Sequence, residues 1–474
     1  MTAEHSRMQL MGAFIHQSFK VAVNHFLTAS AKPLKAAFNY QQTVQEERRL
    51  TEYIEGQETV IDWTGASEDT KYFTHGMHPY PARMVPHISR RLLRIYSHSK
   101  NDMLLDPYCG SGGVLVEGML YDRLSIGIDL NPLAILIARA KTTPIDAKRL
   151  MAARAKMFDV IQNGLDAKKD FPIPSIKNLP FWFKPEAIRE LSAIRASLEL
   201  LKDDEQVYDF YRVCFSLAVR KASNIRNGEF KLYGKSPEDK AKFRPEAFRY
   251  FQQITLSNIG KMREFVEEME KHPHGKAIVM DGDTRQLLEI DPEILKENSV
   301  KIVVTSPPYG DSHTTVAYGQ FSRYSSLWVG LPEEQVLKVD ARGLGGRLVH
   351  KEGDLESPTL DALLAEIGER DEHRAREVYA YFYDADKCLE QIVKTMIPGE
   401  SHCCYVLANR TVKRVPIQTD VVFTEIAKKY KMKHLTTVYR DIPNKYIPYL
   451  NAPENIPGKL GATMSKESIV VWKY

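Results

Sequence analysis

One stretch, LLDPYCGSGGVLVEGMLYDRLSIGIDLNPLA at residues 104–134, restricts the fold of this chain more than any other. Its pattern predicts a buried strand over 103–106, a glycine-rich turn, a helix over 114–121 and a second strand over 124–128. The glycines allow a tight turn and a close approach of ligand to backbone, and the helix then begins with free N–H groups directed at that ligand. The stretch therefore predicts a βαβ unit that binds a nucleotide.

Two acidic residues indicate which kind of nucleotide is bound. Asp129 follows the second predicted strand, where its carboxylate is placed to accept hydrogen bonds from both hydroxyls of a ribose. Asp106 stands just before Gly110, Gly112 and Gly113, where it would repel a phosphate and suits a cationic ligand. S-adenosylmethionine is a ligand of this kind.

The cofactor block carries a family resemblance. The residues at 106–113, DPYCGSGG, resemble the motif D-P-F-C/M-G-S-G-T of the exocyclic-amine DNA methyltransferases, with Tyr for Phe and Gly for Thr as departures. The resemblance implies S-adenosylmethionine as the cofactor. The residues that it assigns to cofactor binding within and after this block are Asp106, Tyr108, Gly110, Gly112 and Asp129.

Two further segments join the cofactor site by resemblance. HPYPAR, with His78 and Tyr80, is similar to a segment that packs beside the methionine moiety of the cofactor in these enzymes. The alternative interpretation is a proline-rich lead-in that positions a helix beginning near Pro86. Asp283, at the end of the third predicted strand, would contact the adenine amine, with Asp281 as a competing candidate and a solvated turn acid as the alternative.

A second motif, TSPPY at 305–309, ends a strand predicted from the run VKIVV. An exocyclic base amine is a poor nucleophile because its lone pair is delocalised into the ring, so two acceptors must draw it toward tetrahedral geometry. Ser306 Oγ and the Pro307 carbonyl are suitable acceptors, since Pro307 and Pro308 remove competing N–H groups and stiffen the backbone. Tyr309 offers a flat face on which an extruded base can stack.

This motif resembles the (Asp/Asn/Ser)-Pro-Pro-(Tyr/Phe) motif of the same family, which implies that Ser306, Pro307, Pro308 and Tyr309 are catalytic. Serine at the first position is most often associated with cytosine, whereas Asp or Asn more often accompanies adenine. The resemblance therefore favours N4 of cytosine and leaves N6 of adenine as the alternative. Methylation at C5 of cytosine is excluded, because it needs a nucleophilic cysteine that normally follows a proline, and none of the five cysteines does.

Two alternatives of other kinds stay open. A guanine-amine RNA methyltransferase has a similar cofactor block but carries a larger N-terminal RNA-binding domain than seventy residues permit. A non-catalytic DNA-binding subunit would have no reason to retain Asp106, Ser306, Pro307 and Tyr309 together.

The segment at 220–249 is basic, with aromatic residues between the charges. Basic side chains neutralise phosphates, so this segment predicts contact with nucleic acid, and a solvated basic helix face is the alternative. The residues that we expect to contact nucleic acid are Arg226, Lys231, Lys235 and Lys242.

The remaining pattern alternates strands and helices, which predicts an α/β doubly wound fold. The resemblance implies the seven-stranded Rossmann-like sheet of class I methyltransferases, interrupted by an inserted helical domain. The chain then divides into an N-terminal helical arm (1–70), a cofactor-binding part (71–145), a helical insert that is the candidate target-recognition domain (146–275) and a catalytic part (276–474).

Composition limits the partners. The net charge of +4 is small for 474 residues, so a polyanion must be bound by local patches and not by a global field. The cysteines lack a C-x-x-C spacing, which argues against a zinc site and a disulfide framework and indicates a reducing compartment. With no membrane-length apolar run and no signal-peptide block, we expect a cytoplasmic protein that binds no metal and no membrane. The resemblance implies double-stranded DNA as partner and leaves open a cognate restriction or defence protein and the oligomeric state.

Overall fold

The computed structural model describes residues 63–65, 68–226, 231–311, 315–349, 353–442, 450–451, 461–462 and 466–474. These residues belong to one compact unit, Ile61–Tyr474. The helical arm predicted over 1–70 lies almost entirely outside the described residues.

A seven-stranded sheet forms the centre of this unit. Its strands, in chain order, are β1 (Met103–Asp106), β2 (Leu124–Asp129), β3 (Lys276–Asp281), β4 (Ile302–Thr305), β5 (His402–Ala408), β8 (Lys433–Asp441) and β11 (Lys466–Lys473). Short two-stranded pairs are formed by β6 (Arg410–Val412) with β7 (Val415–Ile417), and by β9 (Leu450–Asn451) with β10 (Gly461–Ala462).

The sheet order is β3-β2-β1-β4-β5-β11-β8, and β11 runs antiparallel to both of its neighbours. The strands from β3 to β5 are parallel, with Asp129 beside Asp281 and Thr305 beside Tyr405. This is the predicted α/β fold with its seven-stranded sheet, and β1, β2 and β4 lie within two residues of the strands predicted over 103–106, 124–128 and 300–304. The chain order reverses between β1 and β4, which is where open α/β sheets bind ligands.

Helices cover both faces of the sheet. Helix α1 (Pro86–Tyr96) precedes β1, and α2 (Gly113–Leu120) and α3 (Pro132–Thr142) lie between β1 and the insert. The insert contains α4 (Ala147–Asp166), α5 (Leu179–Trp182), α6 (Pro185–Leu198), α7 (Glu205–Ala222), α8 (Pro237–Lys242) and α9 (Ala247–Met269). After β3 follow α10 (Leu287–Ile290), α11 (Tyr318–Trp328), α12 (Glu333–Arg342), α13 (Pro358–Arg370), α14 (Glu372–Thr395) and α15 (Thr419–Lys429). Short 3-10 helices span Phe73–Gly76, Glu199–Leu201 and Thr284–Gln286.

The insert is helical and lies between β2 and β3, as its sequence pattern predicts. Asp146 and Asp204 cap α4 and α7 by accepting hydrogen bonds from backbone N–H groups of the first turn. One long face of α7 is buried against α9, and α7 also packs on α3 and α11. The insert is therefore anchored on the helices that flank the carboxyl edge of the sheet.

Three observations bear on membrane spans, metal sites and disulfides. Across the described ranges, no helix combines the length and apolar character that spanning a membrane requires. The same ranges hold no group of three or more His, Cys, Asp or Glu side chains arranged to bind a metal ion. All five cysteines are buried free thiols.

Candidate active site

The glycine-rich turn joins β1 to α2 and needs glycine for two different reasons. Gly112 has φ +76°, and a Cβ there would lie 2.9 Å from the Cβ of Ala138 on α3. Gly110 has φ +49°, and a Cβ there would approach the Tyr80 ring to 3.3 Å. Gly112 thus lets α3 pack against the turn, whereas Gly110 keeps the side that faces Tyr80 open.

A cavity with about 1090 Å³ of empty space, its open mouth included, lies at the carboxyl ends of β1, β2 and β4. Because these strands are parallel, their terminal residues meet at one edge of the sheet. The cavity lining brings together predicted residues from both motifs. These residues are Tyr80, Asp106, Tyr108, Gly110, Asp129, Asp283, Ser306 and Pro308.

His78, which the resemblance places at the cofactor site beside the methionine moiety, lies outside the cavity lining. Its imidazole is buried with Nε2 3.0 Å from Ser216 Oγ on α7, while Nδ1 lies 2.6 Å from the Pro79 carbonyl oxygen. Burial lowers the pKa of His78 to about 3, so the ring is neutral. The position of α7 over this segment, which depends on packing of the insert, explains why sequence alone did not place His78.

Asp129 lies at the end of β2 with both carboxylate oxygens directed at backbone donors. Oδ2 accepts from Gly110 N at 2.9 Å and Oδ1 accepts from Asn131 N at 2.8 Å. Burial raises the pKa of Asp129 to about 6. Each oxygen has a second lone pair, so the carboxylate both orders the turn and remains an acceptor for hydroxyl groups in the cavity.

Asp106 is a buried carboxyl group at the end of β1. It accepts from Thr305 Oγ1 at 2.6 Å and from Tyr108 N at 3.3 Å, and within the described residues it has no ion pair. Burial raises the pKa of Asp106 to about 7. A buried carboxylate without a cationic neighbour fits a cationic ligand, because such a ligand would supply the missing charge.

Asp283 lines the cavity, whereas Asp281 is exposed and lies outside its lining. The Asp283 carboxylate accepts from Arg285 Nε at 2.9 Å and from Arg285 Nη2 at 2.6 Å. Arg285 in turn forms an ion pair of 2.9 Å with Asp384 on α14. Of the two competing acids, Asp283 therefore has the position that contact with a ligand requires, and Arg285 fixes its orientation.

The TSPPY motif follows β4 and is held by residues distant in sequence. The Pro308 carbonyl oxygen accepts a hydrogen bond of 2.6 Å from the Tyr381 hydroxyl on α14. Just beyond the motif, Asp311 forms a buried ion pair of 2.8 Å with Arg410. With Pro308 already paired, the Pro307 carbonyl and Ser306 Oγ are the acceptors of the motif that no described side chain takes up.

Tyr309 is partly buried and lies outside the cavity lining. Its hydroxyl accepts from Ser306 Oγ at 3.3 Å and donates to Glu467 Oε1 on β11 at 3.0 Å. Sequence reasoning did not find Glu467, because no local pattern reports a partner 158 positions away. Tyr381 and Arg410 were missed for the same reason.

Of the aromatic residues that follow the motif, some line the cavity and others are buried in the protein core. Tyr318 lines the cavity and stacks on Tyr80, with ring centroids 6.0 Å apart and an interplanar angle of 28°. Phe321, Tyr324 and Trp328 are buried in the packing of α11. One segment therefore supplies both a part of the cavity wall and a part of the core.

The four basic residues predicted to contact nucleic acid differ in their exposure and contacts. Lys235 donates to the Ser223 and Ile225 carbonyl oxygens and lies 3.9 Å from the Phe243 ring centroid, and burial lowers its pKa to about 8. Lys235, which was predicted to contact nucleic acid, thus has its ammonium group held by a loop of the insert. Arg226 and Lys242 are exposed, and Lys231 is half-buried.

Comparison with known proteins adds three similarities. A family model for DNA methylases of the N6/N4 type matches residues 9–140. The Type II methyltransferase M.MvaI of Kocuria varians is 37% identical over 425 residues, which cover 85% of this chain and 92% of that protein. M.MjaII of Methanocaldococcus jannaschii, another Type II methyltransferase, is 36% identical over 90 residues, which cover 19% of this chain and 17% of that protein.

A structural match of low similarity was found to the rRNA methyltransferase AviRa of Streptomyces viridochromogenes. The match covers 84% of this chain and 88% of that chain with 10% sequence identity and a TM-score of 0.31.

Proposed function

Because this chain belongs to the N6/N4 family of DNA methyltransferases, we propose that it transfers the methyl group of S-adenosylmethionine to N4 of cytosine in double-stranded DNA. The observation that supports this proposal most directly is the contact between Thr305 and Asp106. It joins the residue before Ser306 to the acid of the cofactor turn, so a cationic ligand at Asp106 and a base amine at Ser306 would lie side by side.

The residues of the cavity fit this cofactor. Asp106 supplies a buried carboxylate that lacks a cation, and Asp129 supplies acceptors for ribose hydroxyls. Gly110 leaves room that a Cβ would fill next to Tyr80. When bound, S-adenosylmethionine supplies an electrophilic methyl group on a sulfonium; the residues of the chain bind it, orient it and exclude water.

Ser306 and Pro307 act on the amine. Their two oxygens accept the amine hydrogens, which favours the tetrahedral geometry in which the nitrogen lone pair can attack. This stabilisation is stronger in the transition state than in the ground state, since positive charge develops on the nitrogen only as the reaction proceeds. Tyr381 secures the backbone of the motif through Pro308, so the acceptors are held in place before the base arrives.

The choice of cytosine depends on Ser306, which stands where adenine-directed relatives more often carry Asp or Asn. A hydroxyl accepts a hydrogen bond without placing a full negative charge next to the base. Adenine N6 is the alternative target, and the two products are distinguished by mass.

The test is incubation of the full chain with S-adenosylmethionine and mixed-sequence duplex DNA, followed by mass spectrometry of the nucleosides. We expect N4-methylcytosine, which should form roughly 10- to 100-fold more slowly in the Ser306→Ala reaction. Formation of N6-methyladenine in its place would overturn the choice of base. Methylation of RNA in a parallel reaction, or no methylated nucleoside at all, would overturn the proposed activity.

We further propose that the insert meets DNA through an aromatic and basic surface formed by Phe181, Arg226, Tyr233, Lys240 and Lys242. Phe181 and Tyr233 are about half exposed, at 55% and 49%, and Lys240 Nζ lies 3.9 Å from the Phe181 ring centroid. Aromatic faces next to cations are suited to stacking on bases while phosphates are neutralised.

This surface is connected to the cavity through α11. Gln320 Oε1 accepts from Leu232 N at 3.2 Å, and the Trp182 and Tyr324 rings lie 5.2 Å apart. Tyr318, at the first turn of the same helix, lines the cavity. DNA held on this surface would therefore run past the mouth of the cavity, where an extruded base can enter.

A further inference from the structure

A chain of hydrogen bonds leads from the catalytic motif to the last strand of the sheet. Ser306 Oγ donates to the Tyr309 hydroxyl at 3.3 Å, and the Tyr309 hydroxyl donates to Glu467 Oε1 at 3.0 Å. Glu467 Oε2 forms an ion pair of 3.1 Å with Arg440 Nε on β8. The Glu467 side chain is 15% exposed and that of Arg440 3%, so the chain ends within the sheet and not in solvent.

The direction of this chain follows from the chemistry of its last member. An ionised carboxylate has only acceptor oxygens, so Tyr309 must use its single hydrogen on Glu467. The Tyr309 oxygen is then left as an acceptor, and Ser306 must use its own hydrogen on Tyr309. Both lone pairs of Ser306 Oγ remain available to the base amine.

The ion pair of 3.1 Å with Arg440 favours the ionised form of Glu467. Burial raises its pKa, while the guanidinium of Arg440 and the hydrogen bond from Tyr309 act in the opposite sense. Arg440 is itself fixed by the Trp63 carbonyl oxygen, at 3.0 Å from Nη1, and by His87 Nε2 at 3.2 Å. Burial lowers the pKa of His87 to about 4, so His87 adds no second positive charge to this group.

We propose that Glu467 is a positioning residue for the methyl transfer: by accepting from Tyr309, it fixes Ser306 as a hydrogen-bond acceptor toward the target amine. A hydroxyl that could turn its hydrogen toward the amine would oppose the attack instead of assisting it. This inference rests on the proposed function of Ser306. It gives Tyr309 a second task beside the stacking of the base, and it gives the last strand a part in catalysis.

The test uses Glu467→Gln and Tyr309→Phe in the full chain, with single-turnover methylation of duplex DNA as readout. Gln is nearly isosteric with Glu but carries an NH2 donor. The hydrogen bonds from Ser306 to residue 467 can then reverse their direction, which turns the hydrogen of Ser306 toward the base. We expect Glu467→Gln to slow methyl transfer about tenfold, in line with the loss of a hydrogen bond to a charged group, with cofactor and DNA affinities unchanged. Tyr309→Phe keeps the aromatic ring but removes the hydroxyl that links Ser306 to Glu467, so it should slow the reaction to a similar extent.

The double variant separates positioning from a structural role. With the chain already cut by Tyr309→Phe, adding Glu467→Gln should change the rate by less than about twofold, because the two residues act through one route. A structural effect through Arg440 would persist in that background and slow the reaction by the same factor again. Glu400→Gln, which removes an exposed carboxylate paired with Lys301, is the matched control and should keep the parental rate.

Multiplicative losses in the double variant, or a parental rate for Glu467→Gln, would overturn the inference while the parental enzyme still methylates DNA. If Glu467→Gln fails to fold, Tyr309→Phe alone decides, since it leaves the ion pair with Arg440 intact: a parental rate overturns the inference. A parental enzyme that produces no methylated nucleoside would instead overturn the proposed function.

Discussion

At the scale of single residues, Gly112 and Gly330 share one backbone conformation in two different surroundings. Their φ angles are +76° and +78°, but a Cβ would lie 2.9 Å from Ala138 at Gly112 and would contact nothing within 4 Å at Gly330. We expect Gly330→Ala to lower the free energy of unfolding by about 1–2 kcal/mol, the cost of left-handed backbone. Gly112→Ala should lower the free energy of unfolding by about 1–3 kcal/mol more than Gly330→Ala does, because the new Cβ overpacks against α3, and it should weaken cofactor binding.

Chemical denaturation and calorimetric titration of both variants would check this pair. Equal losses of stability in the two variants would show that α3 shifts to accommodate the Cβ at position 112. Tight packing of the turn would then not be the reason for glycine at that position.

The Asp106 carboxyl predicts a pH dependence of cofactor binding. Burial raises its pKa to about 7, so below that pH it is mostly protonated and offers no negative charge to a cation. Affinity for S-adenosylmethionine should therefore rise by roughly 5- to 10-fold between pH 6 and 7.5 as the group ionises. Asp129, whose pKa burial raises to about 6, is about half ionised at pH 6, so its titration contributes a factor of about two at most over this range.

Asp106→Asn should bind weakly with an affinity that changes by about twofold at most over this range, as calorimetric titration at several pH values would show. A parental protein whose affinity falls with rising pH would contradict the role given to Asp106.

At the scale of elements, the sequence predicted what local patterns encode and missed what packing decides. Asp106, Asp129 and Ser306 were placed correctly at strand ends, because a change from apolar to polar residues marks where a buried strand stops. The contacts of Lys235 were missed, because its basic character does not reveal that two carbonyl oxygens of its own loop hold it. The same is true of Glu467, whose role depends on β11 lying next to β5.

The insert supplies the prediction at this scale. Arg226→Gln combined with Lys242→Gln should weaken DNA binding and reduce the slope of log affinity against log salt by roughly two units, about 0.9 for each phosphate that is no longer neutralised. Cofactor binding should not change, because neither residue lines the cavity.

Lys100→Gln combined with Lys296→Gln is the matched control. Both lysines are exposed in the loops that lead into β1 and β4, at the opposite edge of the sheet. If the two double variants reduce the slope equally, the exposed charges of the insert have no special part in DNA binding.

At the scale of the whole molecule, the cavity joins residues from distant parts of the chain, including Tyr80, Asp129, Ser306 and Tyr318. The parallel strand ends were predictable, because the topology brings them to one edge. The approach of Tyr80 to Tyr318 was not, because it depends on how the excursion after β4 folds back over that edge.

A ligand that binds across these parts should stabilise all of them together. At 100 times its dissociation constant the cofactor adds about 2.7 kcal/mol to the free energy of unfolding. Asp129→Asn removes an acceptor worth about 1–3 kcal/mol of binding, so the rise in Tm at the same cofactor concentration should shrink to about two thirds or less. Asp281→Asn, which changes the exposed neighbour of Asp129 on β3, should keep the full rise.

Thermal unfolding with and without cofactor would check this difference. An undiminished rise in Tm for Asp129→Asn would place the cofactor elsewhere.

The most direct test of the account concerns Ser306, where cofactor turn and catalytic motif meet. Single-turnover methylation and calorimetric cofactor titration would be measured for the parental chain, for Ser306→Ala and for the surface control Ser299→Ala. The account predicts that Ser306→Ala binds S-adenosylmethionine and DNA with parental affinity and transfers methyl groups roughly 10- to 100-fold more slowly, because the acceptor it lacks matters most in the transition state. A parental rate of methylation by Ser306→Ala would contradict it.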